Sequence, residues 1–266
     1  MDPVLRVVLG FLLFALTHVG LGLPRVRGAL VARLGRWRFT GLFSLVAWLT
    51  LGNAVHVYAT HAGEGPAGLA LGTSVGARAL LVAAIALGVV FMTGAFAGYA
   101  GSPYALGGEN VREPRGLERV TRHPFFVGAM LLGGAHALLA PHRVGAVAMG
   151  SLALFAAFGA WFQDRKLLAL RGQSYADYLA STSTIPFAAI LAGRQRLVWG
   201  ELPYRTLLLG IAVAWVLRAV HAHLFDRGGA YVIAALVAGP LLILLSEWRR
   251  DRRTGRGAAA PRSAAA

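Results

Sequence analysis

Eight histidines occur in a 266-residue chain that is 57% hydrophobic and only 14% charged, and that pairing sets the chemistry to look for. An imidazole inside an apolar bundle needs a hydrogen-bond partner, a metal or a water-lined cavity. His18, His56 and His136 fall within long apolar runs, and His221 and His223 close to the end of another. Taken singly, each is explained as a polar core residue bonded to a neighbouring helix. Taken together they offer neutral ring nitrogens on several helices, the donor set that holds a haem iron between two imidazoles. Arg218 precedes His221 by one helical turn on the same face, where it would pair with a haem propionate.

A second group of reactive types flanks two apolar runs. Arg122, His123 and Pro124 open the run at 124–140, and Asp164, Gly172, Tyr175 and Tyr178 follow the run at 144–162. Pro141, His142 and Arg143 join the runs, so the segment is a hairpin whose two polar ends meet on one side of whatever it crosses. An arginine fork grips a carboxylate or phosphate, His123 is suited to carry a proton, and Asp164 supplies a fixed charge. The structural alternative is that Asp164 pairs with Arg165 or Arg122, while Pro124 serves the first turn of a helix.

The elements that hold these residues are transmembrane helices. The mean hydropathy of +0.61 excludes an ordinary soluble domain, and with no cysteine there is neither a disulfide nor a thiolate ligand. Apolar runs at 4–23, 40–58, 79–99, 124–140, 144–162, 207–225 and 230–245 predict about seven spans. The first is read as a span and not a cleaved leader, because Arg25, Arg27, Arg33, Arg36 and Arg38 follow it. Every second connection is arginine-rich, including residues 101–122 and 164–205, which predicts an outside N-terminus and a cytoplasmic C-terminus. That placement accounts for most of the net charge of +15 without nucleic acid as a partner. Residues 1–253 are expected to form one membrane domain and 254–266, rich in Ala and Arg, a disordered tail near anionic lipid. No internal repeat, Walker or Rossmann pattern occurs. The glycines of GLGLP and FMTGAFAGYAGSP mark close helix packing, and Trp37, Tyr58, Trp199 and Trp248 are interfacial anchors.

The segments TRHPFFVG, the YADY tyrosines, TSTIPFAA and LTHVGLGLPRVRGALVARLGRWRFTGLFSL occur in an order that resembles the NnrU-type membrane protein family over residues 11–196. The resemblance implies a multi-pass protein of a bacterial-type cytoplasmic membrane, associated with nitrite and nitric oxide metabolism. It also implies kinship with the 15-cis-zeta-carotene isomerases, haem b proteins that isomerise a central cis double bond of an apolar small molecule. On that basis His18 and His136 are the candidate haem ligands. Depth along the helices gives a different pairing. His136 lies about 20 Å from His123, whereas His18 is only about 9 Å from Pro24, which levels His136 with His56 or His221. A more distant resemblance, to isoprenylcysteine carboxyl methyltransferases, implies an S-adenosylmethionine site of Arg122, His123, Pro124, Gly128, Asp164, Gly172, Tyr175 and Tyr178, with a lipid or a small hydrophobic thiol as substrate. Asp164 stands where those enzymes carry glutamate. A non-catalytic assembly role is the third expectation.

Overall fold

The computed structural model describes residues 1–98 and 111–254. Of the disordered tail expected at 254–266, residues 255–266 lie outside the described residues, as do residues 101–110 of the loop expected at 101–122, while Thr254 ends the last helix. Helices follow one another along the chain as α1 (Pro3–Gly22), α2 (Pro24–Leu34), α3 (Arg36–His61), α4 (Val75–Gly98), α5 (Leu117–Val120), α6 (Pro124–Leu139), α7 (Arg143–Arg171), α8 (Gln173–Ser181), α9 (Ala188–Leu191), α10 (Tyr204–Ala219) and α11 (Asp226–Thr254). The all-α membrane architecture expected from composition is present. Among the described residues, α1, α3, α4, α7 and residues Asp226–Ser246 of α11 are the 5 helices long and apolar enough to cross a membrane. α6 and α10 have 16 residues each, a length of about 24 Å against a hydrocarbon core of about 30 Å. All seven expected runs are therefore helical, but two are shorter than a full span.

Three boundaries differ from the sequence reading, each for a local reason. α7 continues past Phe162 to Arg171, because its last turns bury Leu167 against Tyr175 and Tyr178; Asp164 therefore lies within the helix and not beyond its end. α10 stops at Ala219, and His221–His223 form a separate 3-10 turn. Arg218 and His221 are thus not successive turns of one helix, as their spacing had suggested. Residues 227–229 take left-handed backbone, which kinks the start of α11.

The chain divides into two compact units, one of Met1–Phe11 with His61–His223 and one of Leu12–Thr60 with Leu224–Ala266. In the first, α4 packs against both α10 and α6, and α6 against α7. Glycine sets these approaches: a Cβ on Gly88 would lie 2.6 Å from the Gly128 carbonyl oxygen, and one on Gly133 would lie 2.7 Å from that of Met149. Small residues substitute here for the hydrophobic driving force that lipid cannot supply between helices. At the α6–α7 turn, the connection before α4 lies against the chain through Gly68 N–H to Pro141 O (2.8 Å) and Arg143 N–H to Pro66 O (2.8 Å). In the second unit, His56 Nδ1 donates to Gly228 O at 3.2 Å. A Cβ on Gly52 would meet Ile233 at 3.6 Å, so α3 and α11 also pack closely.

Gly128→Ala tests this packing. The added carbon would sit 2.9 Å from the Met92 amide nitrogen and as close to the Gly88 carbonyl, so α4 and α6 must separate. A loss of about 1–3 kcal/mol is expected, read as a fall in thermal unfolding temperature in detergent, whereas Gly134→Ala, with nothing within 4 Å, leaves it unchanged.

Candidate functional site

Asp164 draws one end of the first unit together. Its Oδ1 accepts from the Tyr175 hydroxyl at 2.6 Å and from His123 Nε2 at 2.8 Å. Its Oδ2 accepts from Arg122 Nε at 2.9 Å, and Arg122 Nη2 lies 2.8 Å from the same oxygen in an ion pair. Of the roughly four lone-pair positions of a carboxylate, three are thus used in hydrogen bonds. The partners come from α8, from the residue capping α6 and from the loop before it, so one side chain of α7 ties three segments. The His123 side chain is 1% exposed and that of Asp164 14%. Arg165, the other partner expected for Asp164, instead lies over the Trp161 ring.

Local backbone explains how residues so far apart converge. Gly172 takes φ 56 and ψ −132, a conformation closed to residues with a Cβ, and this reverses the chain from α7 into α8. Tyr175 is thereby carried back to Asp164 and is fully buried. On the other side the TSTIPF segment lies along residues 120–122. Arg122 N–H donates to Ser183 O at 2.9 Å, Phe187 N–H to Val120 O at 2.8 Å and the Thr121 hydroxyl to Thr184 O at 2.7 Å. Thr121 Oγ1 in turn accepts from the His123 amide. The motif that follows α8 thus backs the Arg-His-Pro triplet.

Two further ion pairs border this layer, and no motif or periodicity singles their residues out from a charged loop. Glu118 is 6% exposed and accepts from both terminal nitrogens of Arg112 and from the Arg115 amide. Burial pushes its carboxyl up, and Arg112 opposes that shift. Glu201 accepts from Arg119 at 2.8 Å and 3.1 Å and from the Gly116 amide at 3.0 Å, which holds its carboxyl down at about 2. Tyr178 stacks on Tyr175 with ring centroids 5.7 Å apart. Its buried hydroxyl has no hydrogen-bond partner.

The histidines separate into two groups. His18 belongs to the second unit, between the rings of Phe14 (5.2 Å) and Phe43 (4.8 Å), and His56 belongs there too. His136 and His221 belong to the first. Their rings are parallel within 8° with centroids 5.9 Å apart. His136 Nδ1 donates to Leu132 O at 2.8 Å, which fixes the tautomer and leaves its Nε2 lone pair available, the arrangement usual for a metal-bound imidazole. Arg218 is exposed near the end of α10. Among the described residues, no cluster of three or more His, Cys, Asp or Glu could hold a metal ion.

The chain matches the family described as NnrU protein over residues 6–227, and it belongs to that family. It is 42% identical over 82 residues to the chloroplastic 15-cis-zeta-carotene isomerase of Zea mays, covering 31% of this chain and 22% of the relative. It is 35% identical over 122 residues to that of Arabidopsis thaliana, covering 44% and 32%. The chain therefore aligns with less than a third of the length of either relative. No solved structure matches it.

Two outcomes follow from the polar layer. Asp164→Ala removes the carboxylate that Arg122, His123 and Tyr175 share in a largely buried setting, and the unfolding free energy should fall by roughly 3–5 kcal/mol, measured by denaturant titration in detergent. For Glu201 the folded carboxyl titrates near 2 against an ordinary 4.5, so its stabilisation is complete above the unfolded value and disappears as pH falls through the folded one. The difference in unfolding temperature between the protein and its Glu201→Gln variant should therefore be constant near neutrality, shrink below about 4.5 and vanish toward about 2.

Proposed function

We propose that this protein is a membrane isomerase acting on the double bonds of an apolar conjugated molecule, with haem b held by His136 and His221. The observation that carries the reading is its similarity to two 15-cis-zeta-carotene isomerases, joined to a helical membrane domain. His136 supports the cofactor assignment through its fixed tautomer and its parallel neighbour 5.9 Å away. Of the two partners considered for His136 on depth, His221 shares its unit and His56 does not.

The chain's own residues have separable tasks. Leu132 O orients the His136 ring, and Gly133 lets α6 close on α7 beside it. What a bound haem would supply is withdrawal of electron density from a conjugated system, which weakens the double bond that rotates. Asp164 with Arg122, His123 and Tyr175 holds the end of the α6–α7 hairpin in one arrangement. The methyltransferase reading asks Asp164 to accept from a nucleoside cofactor, whereas both of its oxygens already accept hydrogen bonds within the chain.

Purified protein should show a Soret band and convert 15-cis-zeta-carotene, followed by chromatography of the extracted pigment. His136→Ala and His221→Ala should each lose most of the band, because one remaining imidazole holds iron weakly, while His18→Ala retains it. A band lost in His136→Ala and His18→Ala but kept in His221→Ala would transfer the second ligand to α1. A protein without a Soret band and without conversion would overturn the reading.

A further inference from the structure

Between α8 and α10 the chain carries apolar side chains that its own packing does not cover. Ala189 of α9 is fully buried, and Leu197 and Leu202 pack on the core around Leu117 and Val120, so this stretch already has an inward apolar side. In the same stretch Ile185 is 70% exposed, Phe187 46%, Leu191 86% and Trp199 66%. Phe187 also takes φ 63 and ψ −9, left-handed backbone that a bulky residue adopts only under strain. Its carbonyl accepts from the Leu191 amide at 2.9 Å, a helical turn that sets Phe187 and Leu191 on one face. The strained turn therefore presents apolar surface.

Hydrogen bonds fix the depth of this surface relative to the spans. α7 carries no charged residue from Val144 to Gln163, a length of about 30 Å that matches the thickness of the hydrocarbon core. Asp164 thus stands where the core ends. One turn before it Trp161 is half exposed, with the Arg165 guanidinium 5.1 Å from its ring centroid, the aromatic and snorkelling cation of a membrane interface. Asp164 holds the Arg122 side chain, and the backbone of residues 120–122 holds Ser183 and Phe187. The exposed apolar residues are accordingly tied to the level of the headgroup boundary. Charge agrees with that place. No carboxylate occurs between Asp177 and Glu201, whereas Arg194 and Arg196 do. Arg194 donates to the carbonyls of Ala180 and Thr182, and Arg196 is exposed.

We propose that residues 185–199 lie in the lipid interface of the leaflet at the Asp164 end of the hairpin, with Ile185, Phe187 and Leu191 inserted among the upper acyl carbons. Arg194 and Arg196 then stand at the level of anionic headgroups, and Trp199 at the boundary. The connection between α8 and α10 is a non-spanning membrane anchor and not an aqueous loop. A soluble partner would have to reach below the headgroups to cover the same side chains. The inference is independent of the isomerase reading, since it uses no histidine and no cofactor.

The chain has no cysteine, so single cysteines report without background. Ile185→Cys and Leu191→Cys, each at an exposed side chain and each carrying a nitroxide label, are reconstituted as the full chain in vesicles of phosphatidylcholine and phosphatidylglycerol. Collision of the label with oxygen, which concentrates in lipid, is compared with collision with a nickel chelate, which stays in water. Leu154→Cys, 74% exposed in the middle of α7, supplies the lipid reference, and Ser174→Cys, exposed on α8, the aqueous one. At both test positions oxygen should dominate the chelate several-fold, at a depth between the two references. A label at either position that meets the chelate as freely as Ser174→Cys does would put the patch in water and overturn the proposal. Low access to both reagents would show that protein covers the patch, and would overturn it equally.

Discussion

The three hydrogen bonds and the ion pair that converge on the Asp164 carboxylate hold the described architecture of the first unit at its polar end. α6 and α7 could pack through Gly133 and Ala153 alone, but nothing in that apolar contact fixes where the loops at their ends must go. A carboxylate largely removed from water fixes them, because it is costly unless its oxygens find donors. The donors available are Arg122, His123 and Tyr175, and each brings its own segment. Gly172 permits the reversal that brings Tyr175, and the TSTIPF segment pairs with the backbone that presents Arg122 and His123.

This division of labour separates two kinds of chemistry along one hairpin. Toward the polar end, charges are paired, which suits a frame and leaves few groups to react. Farther along α6, His136 has one nitrogen committed to a carbonyl of its own helix and its ring set parallel to His221. The second ring nitrogen of His136 is not committed in that bond, whereas both oxygens of Asp164 accept hydrogen bonds. The Tyr178 hydroxyl is the exception within the frame, buried without a hydrogen-bond partner.

Much of the fold was legible in the sequence because bilayer thickness imposes a length on apolar runs, and arginines mark the connections. All seven runs proved to be helices. The pairing of Arg122 with Asp164 was also within reach, since a short turn at Pro141–Arg143 returns the chain to its starting side. Less legible were the burial of Glu118 among arginines that looked like a solvated loop, and the anchoring of Arg119 by Glu201, 82 positions later. Neither leaves a periodic or motif signal.

The sequence by itself determined the class of protein, the helical runs and the residue types capable of chemistry, because hydropathy and residue identity are local properties. Only the tertiary structure decided which histidine neighbours His136, where α10 ends relative to Arg218, and which donors meet Asp164. Those depend on the angles at which helices pack and on where glycine allows the chain to turn, and neither quantity is carried by spacing along a single helix. His18 and His136 share a residue type and an apolar setting, yet they fall in different units. His221, which spacing assigned to one helical face with Arg218, faces His136 because the helix stops before reaching it.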